Sequence, residues 1–364
     1  MHITGKKILI FGGTGSLGRA LIYRLMNDND LMLYSRDEAK HWTIRNEVNN
    51  PRVMHAVGDI RDYARVEEVL MTFQPHIILI ASALKQVDTC ENSPYESIQT
   101  NILGIKNVVD AVTRNVDRLP DLSAINLIST DKACAPTNVY GMCKAIAERL
   151  VTSQYMAHKK PRFIAVRYGN VLESRGSIIP LFRWQAENSD FLTVTHEDMT
   201  RFVMTLDQSI DLILNAVKNA NSGDVFLPRL KSMRIIDLAS IFADRFNKKI
   251  KIVGIRPGEK LHEDLISEAE SIRVTRDDDT YRMAPAHKEI APDAEIFTYT
   301  SNQDVMSKEE LADYLEEIGI LDKRLSDFIG REIEEIDTHK IVGAVVPSHS
   351  GVLNEKTESE KTET

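Results

Sequence analysis

The sequence predicts an α/β fold, a doubly wound parallel sheet followed by a smaller lobe. Three observations carry this. Short apolar runs alternate with helical patterns from residue 7 to residue 167, a glycine-rich turn joins the first run to the first helix, and the alternation ends near Asn170. Lys7–Phe11 reads as the first strand and Leu17–Met26 as the helix behind it. Further strands are expected at Leu31–Tyr34, Val53–Val57, Ile77–Ala81, Ile125–Ser129 and Phe163–Arg167. Helical patterns fall between most of them, at Arg65–Thr72, Ser97–Thr113 and Tyr140–Ala157. After Asn170 the segment Leu172–Ala286 mixes loops with helices at Leu206–Asn219 and Arg234–Phe246, and shows few strands. Ser307–Ile318 is an amphipathic helix with Ser307 as its cap. The division is therefore 1–171 for the sheet domain, 172–320 for the lobe with its late helices, and 340–364 for a disordered tail. The end of that tail, Glu355–Thr364, is polar and repetitive.

Composition narrows the function. The 364 residues are 43% hydrophobic, ample for a core, as one large domain or two smaller ones. A net charge of −9 argues against a nucleic-acid partner. The longest apolar runs, such as Ile77–Leu84, are too short to span a bilayer, so no membrane association is expected. The N-terminus runs almost directly into a strand, which speaks against a signal peptide. Cys90, Cys134 and Cys143 fit neither a metal-binding spacing nor an even disulfide framework. No metal is expected, and a reducing, cytoplasmic location is the simplest reading.

The glycine-rich turn is Gly12, Gly13, Thr14, Gly15, Ser16, Leu17 and Gly18. Glycines let the backbone approach a pyrophosphate, and the helix N-terminus offers it unpaired N–H groups. In its strand–turn–helix context the motif predicts a Rossmann dinucleotide site, against a tight turn without a ligand. The second strand ends in Ser35 and Arg36. NAD sites usually place an acid here for the ribose 2′-hydroxyl. A hydroxyl followed by arginine suits a 2′-phosphate instead, so NADP is expected over NAD. The alternative leaves Arg36 solvated and Asp37 on the ribose. Asp59 and Ile60 follow the third strand, where an acid often meets the adenine amino group; the alternative for Asp59 is a cap on the next helix.

The chemistry concentrates between Ser129 and Lys144. Tyr140 and Lys144 are four apart, so on a helix the phenol and the ammonium share a face. A cation beside a phenol lowers its pKa, which would let Tyr140 accept a proton near neutral pH. Thr130, Asp131 and Lys132 lie just upstream, at the end of the apolar run Ile125–Ile128. The chain thus carries two neighbouring proton-transfer systems, where simple dehydrogenation needs one. The plainer alternatives are a loop ion pair for Asp131 and Lys132, a helix-surface pair for Tyr140 and Lys144, and a strand-end cap for Thr130.

With these residues in hand, the chain resembles an extended short-chain dehydrogenase/reductase of the polysaccharide-biosynthesis group. It is most similar to the C5-inverting UDP-N-acetylglucosamine 4,6-dehydratases. The likeness runs from about Lys7 to about Ile318. It rests on Gly12–Gly18, Ser35–Arg36, the run Ala83–Lys85, Thr100–Gly104, Ser129–Ala133, Asn138–Tyr140, Arg167–Val171, Ser174–Ser177, Met199–Phe202 and Arg256–Glu263. The resemblance implies bound NADP, with Ala81, Ser82 and Ala83 near the nicotinamide. It implies that Tyr140 takes the proton of the sugar 4-hydroxyl as C4 is oxidised, that Lys132 is the base at C5, and that Asp131 protonates the departing C6 hydroxyl. Thr130 would bond the substrate, and Asn101 would serve backbone bonding and positioning. A lysine base needs a depressed pKa; Lys144 nearby would help, and Asp131 would oppose it. Substrate contacts are expected from Lys85, Asn170, Ser174, Arg175, Arg201, Arg256 and Glu259, with arginine suited to the pyrophosphate of a UDP-sugar; His262 is expected to be structural. The chain departs from its relatives at Phe11, where many have threonine, and at Ile80–Ser82, where a histidine often stands.

The resulting expectation is conversion of UDP-N-acetylglucosamine to UDP-2-acetamido-2,6-dideoxy-4-keto-L-arabino-hexose, for surface glycans. A UDP-sugar C4-epimerase would use the same cofactor loop and Tyr140 without a C5 base. A C5-retaining dehydratase is a variant of the first reading, and a nucleotide-sensing scaffold is the non-enzymatic alternative. Relatives assemble as dimers or hexamers, so a homo-oligomer is expected.

Overall fold

The computed structural model of the chain describes residues 2–172, 174, 177–288 and 294–324. Arg175 and the tail expected at 340–364 lie outside these residues. The strands of the first half are β1 (Lys7–Phe11), β2 (Asp30–Ser35), β3 (Val53–Val57), β4 (Ile77–Ile80), β5 (Ala124–Ile128) and β6 (Arg162–Val166). Between them run α1 (Ser16–Leu25), α2 (Glu38–Val48), α3 (Tyr63–Phe73), α4 (Val87–Asn92), α5 (Pro94–Ile98), α6 (Gly104–Arg114) and α7 (Val139–Thr152). The second half adds β7 (Asn170–Val171), β8 (Phe191–Val194), β9 (Thr200–Met204), β10 (Val225–Pro228), β11 (Ser232–Arg234), β12 (Lys249–Ile252), β13 (Asp264–Ile266), β14 (Val274–Arg276), β15 (Thr280–Met283) and β16 (Tyr299–Thr300). Its helices are α8 (Ile178–Asn188), α9 (Leu206–Asn219), α10 (Ile235–Phe246), α11 (Glu268–Ser271) and α12 (Lys308–Glu317), the last capped by Ser307.

Among the described residues the main sheet has nine strands in the order β14-β15-β10-β6-β5-β4-β1-β2-β3. From β10 to β3 all neighbours are parallel; β15 and β14 are antiparallel. The order reverses at β1, which pairs with β2 on one side and β4 on the other. Ligands of such sheets bind in the crevice that this reversal opens at the carboxyl ends of the strands.

Alternation along β1 builds both faces of the core. Leu9 and Phe11 meet Val66 and Leu70 of α3, Val108 and Val112 of α6, and Ala147 and Val151 of α7. Ile8 and Ile10 meet Leu21 and Leu25 of α1 and Ile210, Ile213 and Val217 of α9. Each large side chain buried in these layers contributes about 1.5–3 kcal/mol of transfer free energy. The second half adds three smaller sheets, β11-β9-β7, β12-β8 and β13-β16.

Three elements differ from the sequence-based expectation. Few strands were expected in Leu172–Ala286, yet eight, β8 to β15, are present there among the described residues. They are three to five residues long, too short to show an alternating pattern. The helix expected at Ser97–Thr113 is broken by a π-helical turn, Gln99–Leu103. Asn101 within that turn accepts from Leu84 N at 2.8 Å and donates to Leu84 O at 2.9 Å, so the wide turn clamps the peptide that leaves β4. Helix α2 was not anticipated: only His41 and Ile44 of it are buried, too weak a stripe to read.

Candidate active site

The crevice at the sheet reversal is a cleft of about 350 Å³. Gly12, Thr14, Gly15 and Ser16 line one wall, Ala81, Ser82 and Ala83 another, and Ser35, Arg36, Asp59 and Ile60 its far end. Gly12 has φ +80°, and a Cβ there would sit 2.8 Å from the Ala81 carbonyl carbon, so only glycine lets β1 turn this close to β4. Gly15 is the N-cap of α1 and supplies no side chain to the helix end, whose N–H groups remain for an anion. Leu17 packs into the core and Gly18 is buried; neither lines the cleft, so any contact from them is through the backbone.

At the far end, Arg36 lies 3.7 Å from Asp59 and is more than half exposed. Asp37 caps α2 through Lys40 N at 3.0 Å and pairs with the Lys40 ammonium at 2.9 Å. Asp59 is not the cap of the next helix; Asp62 is. Burial pushes the Asp59 carboxyl up, but the Arg61 guanidinium bonded to it outweighs this and holds it below the usual range. Tyr34, Lys40 and Thr100 also line the cleft, and the Thr100 hydroxyl is buried with no hydrogen-bond partner among the described residues.

Beyond the cleft, β5 runs into a 3-10 turn, Asp131–Ala133. Asp131 is 1% exposed. Its Oδ1 accepts from the Thr130 hydroxyl at 2.9 Å, from Lys132 N at 2.8 Å and from Lys132 Nζ at 3.1 Å. The ammonium has a second carboxylate, Glu263 Oε1 at 3.0 Å, and Arg201 Nε stands 3.7 Å from that same oxygen. The remaining oxygens, Asp131 Oδ2 and Glu263 Oε2, are buried without hydrogen-bond partners among the described residues. Such orphaned acceptors are costly unless a ligand meets them.

Burial alone would drive Lys132 toward the neutral amine. The flanking charges of Asp131 and Glu263 outweigh it and hold the ammonium above the usual lysine range. Burial pushes Asp131 up, Lys132 pulls it down, and Glu263 adds to the rise. Glu263 resists its own burial because Lys132 and Arg201 hold it ionised. Asp131 is therefore the carboxyl of the trio most ready to hold a proton. The sequence set Lys144 against Asp131 without fixing the sign; in the structure Asp131 and Glu263 prevail, and the opposing cation is Arg201 rather than Lys144.

Tyr140 is the second residue of α7. Burial pushes its phenol up to about 12; Lys132 is the leading cation opposing the rise, and Asp131 reinforces it. The expected lowering by Lys144 is corrected. Lys144 is 2% exposed, donates its ammonium hydrogen to the Ile128 carbonyl, and is lowered to about 8 by burial, so it is not a helix-surface residue. Helix α7 meets the Asp131 turn closely: a Cβ on Gly141 would lie 2.1 Å from the Lys132 carbonyl oxygen. Asn138 caps α7 through Gly141 N at 2.8 Å and donates to Gly258 O at 2.9 Å, tying the helix to the 256–260 loop.

On the substrate side the expected residues divide. Arg256 and Glu259 pair with each other at 3.1 Å. Arg201 is buried and donates to the carbonyls of Thr200, Lys260 and Leu261, which makes it a positioning residue rather than the expected direct contact. Ser174 donates to Val171 O within its own turn. Lys85 is exposed after the clamped Leu84 peptide, and Asn170 Oδ1 is buried without a partner among the described residues. His262 bonds Thr200 at 2.8 Å, in keeping with a structural role. A second, open cavity of about 650 Å³ lies over this loop, lined by Thr137, Gly258, Lys260, His262 and Asn302 among others.

A family model described as polysaccharide biosynthesis protein matches residues 8–285, which hold the whole sheet except β1's first residue. The chain belongs to that family. Members similar to it include a protein of Methanocaldococcus jannaschii described as an uncharacterized membrane protein, 34% identical over 330 residues, 87% of this chain and 97% of that one. A UDP-glucose 4-epimerase of Rickettsia rickettsii is 38% identical over 288 residues, 76% of this chain and 82% of the relative. The crystal structure of Pen from Bacillus thuringiensis superposes with a TM-score of 0.81 at 32% identity, covering 88% of this chain and 99% of Pen. The extended short-chain dehydrogenase/reductase architecture is thus common to this family member and its neighbours. Among the described residues no helix is long and apolar enough to cross a membrane.

Two residues of this polysaccharide-biosynthesis protein were not singled out from sequence. Glu263 was quoted only as the end of a motif, and nothing in its spacing points to Lys132. Tyr168 is buried, and burial together with the neighbouring Tyr140 raises its phenol.

Proposed function

We propose that the chain is a C5-inverting UDP-N-acetylglucosamine 4,6-dehydratase working with tightly bound NADP. Residues 1–171 would hold the cofactor and 172–320 the sugar nucleotide. The observation that carries this reading is the buried trio Asp131, Lys132 and Glu263, of which Lys132 and Asp131 act on the Tyr140 phenol. A C4-epimerase has no use for an acid and a base beyond that phenol.

A bound nicotinamide supplies reversible hydride chemistry at the sugar. The protein's part is proton handling. Tyr140, a protonated phenol at rest, would first give up its own proton and then, as phenolate beside the Lys132 cation, take the proton of the 4-hydroxyl. Once C4 is a ketone, the C5 proton is acidic. One proton moved from Lys132 Nζ to Asp131 across their 3.1 Å contact creates both groups that elimination needs, an amine base and a carboxylic acid. Lys132 then takes the C5 proton and Asp131 gives its proton to the C6 hydroxyl, which leaves as water. The pair returns to ammonium and carboxylate; the hydride equivalent taken at C4 would be returned at C6 and a proton delivered to C5 from the opposite face, which balances the conversion. For the cofactor, NADP is favoured because Asp37 is engaged by Lys40, which leaves Ser35 and Arg36 to meet the 2′ position. Exposed Met142 and Ile146 on α7 support a homo-oligomer.

One observation favours a second reading, a UDP-sugar 4-epimerase: Lys132 rests as a pinned ammonium, and relatives at 38% identity are named UDP-glucose 4-epimerases. Incubation with UDP-N-acetylglucosamine in D2O, followed by proton NMR, separates the two. The expected result is a new C6 methyl signal with deuterium at C5 and L-sugar couplings. D-sugar couplings would make the enzyme retaining. An intact C6 methylene with UDP-N-acetylgalactosamine forming would establish the epimerase. No turnover of this sugar or of UDP-glucose would overturn both.

A further inference from the structure

Behind Ser35 stands a chain of polar contacts that the proposed chemistry does not use. The Ser35 hydroxyl lies 2.8 Å from Thr14 Oγ1 and 2.9 Å from His41 Nε2. His41 Nε2 is also 3.1 Å from the Ser35 carbonyl oxygen, and His41 Nδ1 is 3.0 Å from His55 Nδ1. His41 is 2% exposed, and burial lowers both imidazoles, His55 to about 4, so the pair is neutral near pH 7. Arg45 also lowers His41, while Asp37 and Glu38 oppose the shift.

The tautomers follow from elementary chemistry. A carbonyl oxygen only accepts, so His41 Nε2 carries the hydrogen that faces Ser35. His41 Nδ1 is then bare, and His55 Nδ1 must donate to it. The Ser35 hydroxyl oxygen therefore receives a hydrogen from His41; with Thr14 donating to its second lone pair, Ser35 keeps its own hydrogen to donate onward. A phosphate can only accept, whereas a ribose hydroxyl both donates and accepts. A donating serine can serve either group, but its bond to an ionised phosphate oxygen is roughly twice as strong as one to a neutral hydroxyl, so a serine held as donor favours phosphate.

We propose that His41, set in its tautomer by His55, is a specificity-determining positioning residue that holds Ser35 as a hydrogen-bond donor to the 2′-phosphate of the cofactor. This rests on the NADP reading above. It makes the buried face of α2, not only the cleft wall, part of cofactor selection.

The test is calorimetric titration of NADP and of NAD into the full chain stripped of nucleotide. Wild type, His41→Leu, His41→Gln, Ser35→Ala and the Ser35→Ala/His41→Leu double variant are compared. His41→Leu is expected to cut the preference for NADP on the order of tenfold, the loss of one charge-assisted hydrogen bond. His41→Gln should keep most of the preference, because its amide N–H reaches the place of Nε2–H. In the Ser35→Ala background His41→Leu should change nothing further. If His41→Leu does not fold, His55→Leu replaces it and should lower the preference by a smaller factor. An unchanged ratio in a folded His41→Leu or His55→Leu protein, an equal loss with His41→Gln, or an equal further loss without Ser35 would overturn the proposal. A wild type that shows no preference for NADP overturns the cofactor reading as well, and is recognised before any variant is made.

Discussion

In the proposed elimination Asp131 and Lys132 act as a unit, because one proton serves both and each would lose its role if the other were removed. Lys132→Ala is expected to abolish dehydration while nucleotide affinity stays within about twofold of wild type, a change at the level of a few tenths of a kcal/mol. Proton NMR of the sugar and a binding titration check the two halves. Surviving turnover would remove Lys132 from the chemistry. Glu263→Gln tests the poise of the trio. Glu263 holds Lys132 protonated, so removing its charge lowers the lysine pKa and makes the amine available at lower pH. The rising limb of kcat against pH should therefore shift to lower pH. If Lys132 is only a counterion, the limb stays where it is. At this scale the sequence was informative wherever chemistry is local. Adjacent Asp131 and Lys132, and the glycines at 12–18, were legible. The Glu263 contact and the His41–His55 pair were not, because their partners meet only through tertiary folding. The pKa directions were misread for the same reason: spacing puts Lys144 near Tyr140, but only the structure shows its ammonium committed to Ile128 O.

Elements are held to one another by a buried ionic node. Arg167, 1% exposed at the end of β6, pairs with Glu148 of α7 at 2.6 Å and with Glu270 of α11 at 2.8 Å, and donates to Leu265 O. The helix that carries Tyr140 is thereby fixed to the strand that follows Glu263. Burial would raise the Glu270 carboxyl, but Arg167 holds it down to about 2, against an ordinary value of 4.5. A depressed folded pKa contributes stability that is complete above the unfolded value and disappears as pH falls through the folded one. Denaturant melts of the wild type should lose stability between about pH 4.5 and about pH 2. Glu270→Gln should be less stable at neutral pH by about 3–5 kcal/mol, as for other broken buried pairs, and flatter across that window. A parallel pH slope in the variant would show that other carboxylates set the acid limb. Strands β1 to β6 were legible because each is a compact apolar run. The later strands, two to five residues each, carry too few side chains for alternation to register, and α2 buries too narrow a stripe.

The whole molecule is less divisible than its sequence periodicity implies. The sequence pattern changes near Asn170, but the main sheet does not end there. After it, β10 returns to pair with β6, and α9 covers the face that Ile8 and Ile10 present. A chain of residues 1–171 alone would leave that face and the β6 edge bare. It should express as an aggregating or loosely packed species, without the near-ultraviolet circular dichroism of the full chain. A soluble, cooperatively melting fragment would show that the first half folds on its own.

The tightest approach in the site lies at Gly141, against the carbonyl of Lys132. A single added methyl there has no space, so Gly141→Ala should force the Asp131–Ala133 turn and the Tyr140 phenol apart while the cleft at the sheet reversal, built from other segments, keeps its shape. Such a chain would be a molecular snare: loaded with NADP and exposed to a cell extract, it should retain the sugar nucleotide it cannot process, and mass spectrometry of what it holds would name the natural substrate directly.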